Sequence, residues 1–168
     1  MAGDRIEVPT AAGMHELGRR LGAVLRPGDL VVLSGPLGAG KTTLVQGIGA
    51  GLQVRGPVTS PTFVIARVHP ALAGGPALVH VDAYRLASVA EVDDLDLDAS
   101  LDESVTVVEW GEGLVEGLAA DRLEVSIEMS PAGADGDWRA VTMTGIGQRW
   151  ESVAESVSCG LPVTPKAI

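Results

Sequence analysis

The sequence holds little that could staple the chain, span a membrane or grip a polyanion. Its 168 residues include a single cysteine, Cys159, so no disulfide can close within it. That usage fits a reducing, cytoplasmic setting, and Cys159 reads as an inert tail residue and not as a nucleophile. Aromatic residues make up only 3%, so Val, Leu, Ile and Ala have to fill the core. No apolar run reaches the roughly 18 residues that suggest a membrane helix, so no membrane span is predicted. The opening "MAGDRIEVPT" carries charges and lacks an apolar stretch, which argues against a signal peptide. Cations are scarce: Lys and Arg number 12 against 22 Asp and Glu, a net charge of −10, and only two of the cations are lysines. Such a surface repels a polyanion at long range, and unaided nucleic-acid binding usually needs a basic stripe. A basic protein partner is the easier expectation. Asparagine is absent altogether.

What is present suits one globular domain. Apolar residues reach 46%, and a chain of this length can bury a real core. We assign residues 1–157 to a single domain and 158–168 to a flexible tail. Residues 11–26 set Met14, Leu17, Leu21, Val24 and Leu25 at helical spacing, with Thr10 as cap and Pro27-Gly28 as stop. "LVVLS" (30–34) reads as a buried strand, and a helix follows from about residue 41 to 52. That helix contains Gly47, Gly49 and Gly51, each costing up to about 1 kcal/mol relative to alanine, so close packing against a sheet is expected in compensation. "FVIARVHP" (63–70) and "ALVHVDAY" (77–84) read as a hairpin, which makes the sheet partly antiparallel. A short acidic helix is expected over 88–97, a strand over 105–110, a short helix within "EGLVEGLAA", two antiparallel strands around "SPAGADGD", and a last helix over 147–157.

Residues 35–42 read G-P-L-G-A-G-K-T, the pattern G-x-x-x-x-G-K-[ST], between a predicted strand and a predicted helix. The chemistry explains the residue types. Gly35, Gly38 and Gly40, with Pro36, Leu37 and Ala39 between them, let backbone N–H groups turn inward around an anion. The helix points its positive end at the same place. Lys41 can bridge β- and γ-phosphate oxygens, and the Thr42 hydroxyl can reach Mg²⁺. A guanine-reading N-K-x-D loop cannot be built without asparagine, and no T-K-x-D substitute exists, so ATP is the expected nucleotide.

Such a loop needs an acidic residue at the end of a neighbouring strand to hold Mg²⁺. Asp82 and Glu109 both end apolar runs, and periodicity alone does not choose between them. The loop "TSPTF" (59–63) lies where related hydrolases keep a γ-phosphate-sensing threonine, with Thr62 the first candidate and Ser60 the second. His80 reads more readily as a packed strand histidine than as a catalyst. Trp110 can serve in the core or beside the nucleotide. Arg85 can contact a phosphate or pair at the surface. The acids at 91–98 and 102–103 read as a solvated face.

Four segments in order, "GPLGAGKTT" (35–43), "SPTF" (60–63), "HVDAYR" (80–85) and "VVEWGE" (107–112), resemble the TsaE (YjeE) family of bacterial P-loop ATPases. The resemblance implies an α/β protein, a three-layer P-loop NTPase fold with a mixed parallel and antiparallel sheet flanked by helices. It implies ATP and Mg²⁺ as cofactors, with phosphates held by residues 35–43, Thr43 included, and Mg²⁺ held by Thr42 and Glu109. Lys41, Asp82 and Thr62 would serve hydrolysis, Thr62 from a switch-like loop. It further implies support of TsaD and TsaB, the transferase and its partner, in forming threonylcarbamoyladenosine on tRNA, with tRNA met only through the complex. The chain departs from the family's H-F-D-L-Y-R segment at Val81 and Ala83, which alternate with the functional positions and look like repacking. "DDLDLDASL" lacks an expected glycine, and the resemblance ends near residue 145. Two other readings compete. A small-molecule kinase would want an arginine-rich lid, yet between Arg85 and Arg139 only Arg122 occurs. A non-catalytic, nucleotide-dependent interaction module is opposed by the joint presence of Thr62, Asp82 and Glu109.

Overall fold

"LVVLS" is buried on both sides, as its unbroken apolar character requires: Val31 and Leu33 enter one core, Leu30 and Val32 the other. A computed structural model of the chain describes residues 5–59, 65–86, 88–151 and 153. In chain order its elements are β1 (Arg5–Val8), α1 (Ala11–Val24), β2 (Leu30–Ser34), α2 (Lys41–Leu52), β3 (Ala66–His69), β4 (Ala77–Asp82), α3 (Val89–Asp93), α4 (Asp98–Leu101), β5 (Ser104–Glu109), β6 (Arg122–Met129) and β7 (Arg139–Ile146). The strands form one sheet in the order β1-β7-β6-β2-β5-β4-β3. Its centre, β6-β2-β5-β4, is parallel, and β1, β7 and β3 join antiparallel at the two sides. The expected α/β architecture with a mixed sheet is therefore observed, as is the hairpin of β3 and β4.

Helices α1 and α2 cover one face through Leu17, Leu21, Leu44 and Ile48. The other face is covered by Val92, Leu97 and Val115 from α3 and the irregular segments beyond it. Thr10 caps α1 as expected, its hydroxyl accepting from the Gly13 amide at 3.0 Å. The glycines of α2 correct the expectation of packing against a sheet. A Cβ on Gly47 would lie 2.1 Å from the His15 carbonyl oxygen, and one on Gly51 2.2 Å from that of Arg19. Both therefore admit the backbone of α1, where Gly18 and Gly22 answer them from the other side. Only Gly49 of the three faces Leu78 of the sheet, together with Val54 and Val58.

Other differences have local causes. The strand β1 has no counterpart among the expected elements, being four residues long at the sheet's edge. The acidic helix breaks into α3 and α4, with Asp96 in the left-handed region at φ 52° between them. "EGLVEGLAA" forms successive turns and no helix, around two glycines of which Gly113 has φ 80°. Of the expected last helix, the described residues show the 3₁₀ turn Gln148–Trp150 and a helical Val153 packed against the core; the rest of residues 152–157 lie outside the described residues. Arg149 there pairs with Asp29 through two bonds of 2.9 and 3.1 Å and also donates to the Val24 carbonyl, both side chains being largely buried. Cys159 and the tail 158–168 lie outside the described residues. Among those residues no helix is long and apolar enough to cross a membrane.

Candidate functional site

The chain leaves β2 at Ser34, passes through Gly35, Pro36, Leu37, Gly38, Ala39 and Gly40, and enters α2 at Lys41. Gly40 at φ 102° and Gly38 at φ 80° take conformations that a side chain resists. Ala39 is buried, and its amide donates to the Pro36 carbonyl at 3.1 Å, which closes the loop on itself. Leu37 stands at the exposed tip. No side chain caps α2, so the N–H groups of its first turn, including those of Thr42 and Thr43, face out of the helix toward the loop's mouth.

Lys41 is buried beneath this loop. Its Nζ donates to the carbonyls of Gly35 and Pro36 at 2.8 and 3.0 Å and lies 4.4 Å from the ring centre of Trp110. Burial lowers its pKa from the ordinary lysine value, while the charges of Glu109 and Asp82 pull it back up. Trp110, left open by the sequence, thus belongs to the site. It has φ 59°, its amide donates to Leu33 at 3.1 Å, and it meets Tyr84 edge-on with ring centres 5.4 Å apart.

The two carboxylates arrive on neighbouring parallel strands. Asp82 of β4 pairs in register with Glu109 of β5, and Glu109 pairs with Leu33 of β2. Glu109 is therefore one strand from the glycine loop and Asp82 two. Glu109 is buried, and its Oε1 lies 2.8 Å from His80 Nε2. Asp82 is half-buried, and its Oδ1 accepts from the Tyr84 amide at 3.0 Å. Thr42, Glu109 and Asp82 offer hard oxygen donors, the kind that magnesium takes. Among the described residues no group of three or more His, Cys, Asp or Glu could hold a metal by itself. Arg85 is exposed, and the acids of 91–98 and 102–103 form a solvated face. Thr62 and Ser60 lie outside the described residues.

On the other side of the loop is a cleft of about 240 Å³, walled by Pro9, Thr10, Met14, Gly38, Thr43 and Arg139. Arg139 pairs with Asp137 and reaches the Gly38 carbonyl at 3.4 Å. None of its residues from outside the loop was singled out from the sequence as a contact. Only the fold brings residues 9–14 and 139 together beside 38–43.

The site defines an α/β protein with a buried lysine under a glycine loop and two acids on the strands beside it. The chain belongs to the TsaE family: residues 8–135 match the family described as Threonylcarbamoyl adenosine biosynthesis protein TsaE. It is 62% identical over 148 residues to the tRNA threonylcarbamoyladenosine biosynthesis protein TsaE of Streptomyces coelicolor, covering 88% of this chain and all of that protein. It is 38% identical over 137 residues to the Bacillus subtilis protein of the same name, covering 81% and 82%. The crystal structure of Bacillus subtilis YdiB superposes with a TM-score of 0.73 at 28% identity, over 94% of this chain and 96% of that one.

Proposed function

We propose that this chain is a Mg²⁺-dependent ATPase serving tRNA threonylcarbamoyladenosine synthesis, in support of the TsaD and TsaB proteins. The observation that carries this is the convergence on Lys41: a buried ammonium under the glycine loop, within the field of both Glu109 and Asp82. A lysine so placed serves phosphates, and paired strand-end acids beside it serve metal and water.

In this reading residues 35–43 ring the phosphate chain with amides, and Lys41 bridges its β- and γ-oxygens. The adenosine end lies in the cleft of Pro9, Met14, Thr43 and Arg139, whose apolar and polar walls suit a base. Thr42 and Glu109 would hold Mg²⁺, which would supply charge neutralisation for the phosphate chain. Asp82, one strand further out, orients the attacking water. Thr62, outside the described residues, is assigned by sequence to sensing the γ-phosphate. Hydrolysis of this kind is mostly positioning, so a partner that holds the catalytic groups in place would raise the rate without supplying a nucleophile. The net charge of −10 disfavours solitary tRNA binding and leaves tRNA to the complex.

The test is phosphate release from Mg-ATP by the isolated chain, repeated with TsaD and TsaB from the same source. Slow turnover alone and faster turnover with them is expected, with no tRNA retained on a filter by the isolated chain at physiological salt. Rapid transfer to a small acceptor, indifferent to those proteins, would replace this reading with the kinase.

A further inference from the structure

His80 is fully buried in the middle of the sheet, on the face it shares with Leu78 and Val107. A leucine or valine would pack there without stranding a polar atom. The imidazole instead leaves Nδ1 buried with no partner among the described residues, a destabilising arrangement for the fold alone. Among the described residues its one hydrogen bond runs from Nε2 to Glu109 Oε1 at 2.8 Å. A carboxylate can only accept, so the ring donates from Nε2. His69, diagonally placed on the neighbouring β3, also has its Nε2 buried without a partner among the described residues, so the two rings do not satisfy each other.

We infer that His80 is a positioning residue: its Nε2–H fixes one oxygen of Glu109 and so sets the direction in which the other is presented beside the loop. The inference rests on the proposed assignment of Glu109 to the metal. His80 and Glu109 lie two residues apart in the register of adjacent strands and on the same face, so the ring lies below the carboxylate, on the side away from the strand ends. Glu109 Oε1 is tied down, and Oε2 is the oxygen left for a metal or its water. A carboxylate free to rotate would present that oxygen only part of the time, and partners that orient a ligand commonly change metal affinity by about 10–100-fold.

The experiment compares H80L, H80Q and E109Q by Mg²⁺ titration of the ATP-loaded protein, with ATP affinity in EDTA measured alongside. H80L should weaken Mg²⁺ by about 10-fold, at the low end of that range, and leave ATP binding in EDTA unchanged. The amide of H80Q can donate from nearly the position of Nε2, so it should restore Mg²⁺ affinity to within about 3-fold of the unmodified protein. If E109Q weakens Mg²⁺ and a folded H80L does not, or if H80Q is as poor as H80L, the inference is overturned. If E109Q leaves Mg²⁺ affinity intact, the assignment of Glu109 to the metal fails first. Should H80L not fold, ¹⁵N-histidine NMR of the unmodified protein decides. A slowly exchanging Nε2–H, assigned through its proximity to Val107, should shift when Mg²⁺ joins the ATP complex. An exchanging or unresponsive proton would overturn the inference.

Discussion

Replacing Gly47 by alanine separates two opposed effects. Alanine in a helix interior is favoured over glycine by about 1 kcal/mol, so propensity alone makes G47A stabilising. The structure argues the reverse. The new Cβ would sit 2.1 Å from the His15 carbonyl oxygen, 2.9 Å from the Arg19 nitrogen and 2.9 Å from the Gly18 Cα. All three atoms belong to the α1 backbone, which cannot swing aside as a side-chain end can. Relief requires the two helices to part by about an ångström, loosening Leu17 and Leu21 from Leu44 and Ile48, a kind of overpacking that typically costs about 1–3 kcal/mol and sometimes more. With three backbone collisions the upper part of that range applies, and the net loss after the propensity gain is about 2 kcal/mol. For a chain of this size that lowers Tm by roughly 4–8 °C. Thermal melts by circular dichroism read it directly. Gly117, with open space around its Cβ position, is the control: G117A should stay within about 0.5 kcal/mol of the unmodified protein. Because α2 begins at Lys41, G47A should also weaken ATP binding. An unchanged or higher Tm for G47A would refute the packing argument.

Asp29→Ala leaves the Arg149 guanidinium buried without its partner and should cost about 3–5 kcal/mol in urea unfolding, while the exposed pair of Arg5 and Glu128 should matter little. Asp82→Asn should bind Mg-ATP and lose turnover, whereas Glu109→Gln should also lose metal dependence; phosphate release and calorimetry with and without Mg²⁺ distinguish them, and exchanged phenotypes would reverse the two roles. Burial lowers the Lys41 pKa from 10.5, so in the free protein the ammonium is lost as pH rises through a point below that value. Bound phosphate favours the charged form, so ATP affinity in EDTA should fall as pH rises past that point, whereas a Lys41→Met variant should show no such fall. The unfolded chain holds this proton to higher pH than the folded one. The free protein should therefore gain stability over the same window, a gain that Lys41→Met abolishes.

What was legible in the sequence is what local pattern governs. The strand-loop-helix of residues 30–52 was readable because the apolar run, the glycines and the lysine are contiguous. The hairpin of β3 and β4 was readable from its two short runs and intervening glycines. The role of Gly47 and Gly51 was not, because the partner that needs the space is α1, some thirty residues earlier in the chain. Trp110 could not be placed, since an aromatic after a buried strand serves a core or a cleft equally well until Lys41 is found above its ring. His80 looked like packing because its carboxylate comes from another strand, 29 positions away. The cleft beside the loop is likewise assembled from residues 8–14, 38–43 and 137–139.

The most direct measurement is isothermal titration of ATP into the unmodified chain and into Lys41→Ala, each with and without Mg²⁺. Lys41 is the buried ammonium under the loop, and the chain's other lysine, Lys166, lies far along the sequence. The unmodified protein is expected to bind ATP, more tightly with Mg²⁺, and Lys41→Ala to lose most of that affinity while keeping its fold by circular dichroism. A folded Lys41→Ala that binds ATP as the unmodified chain does would contradict the assignment of residues 35–43 to the phosphates.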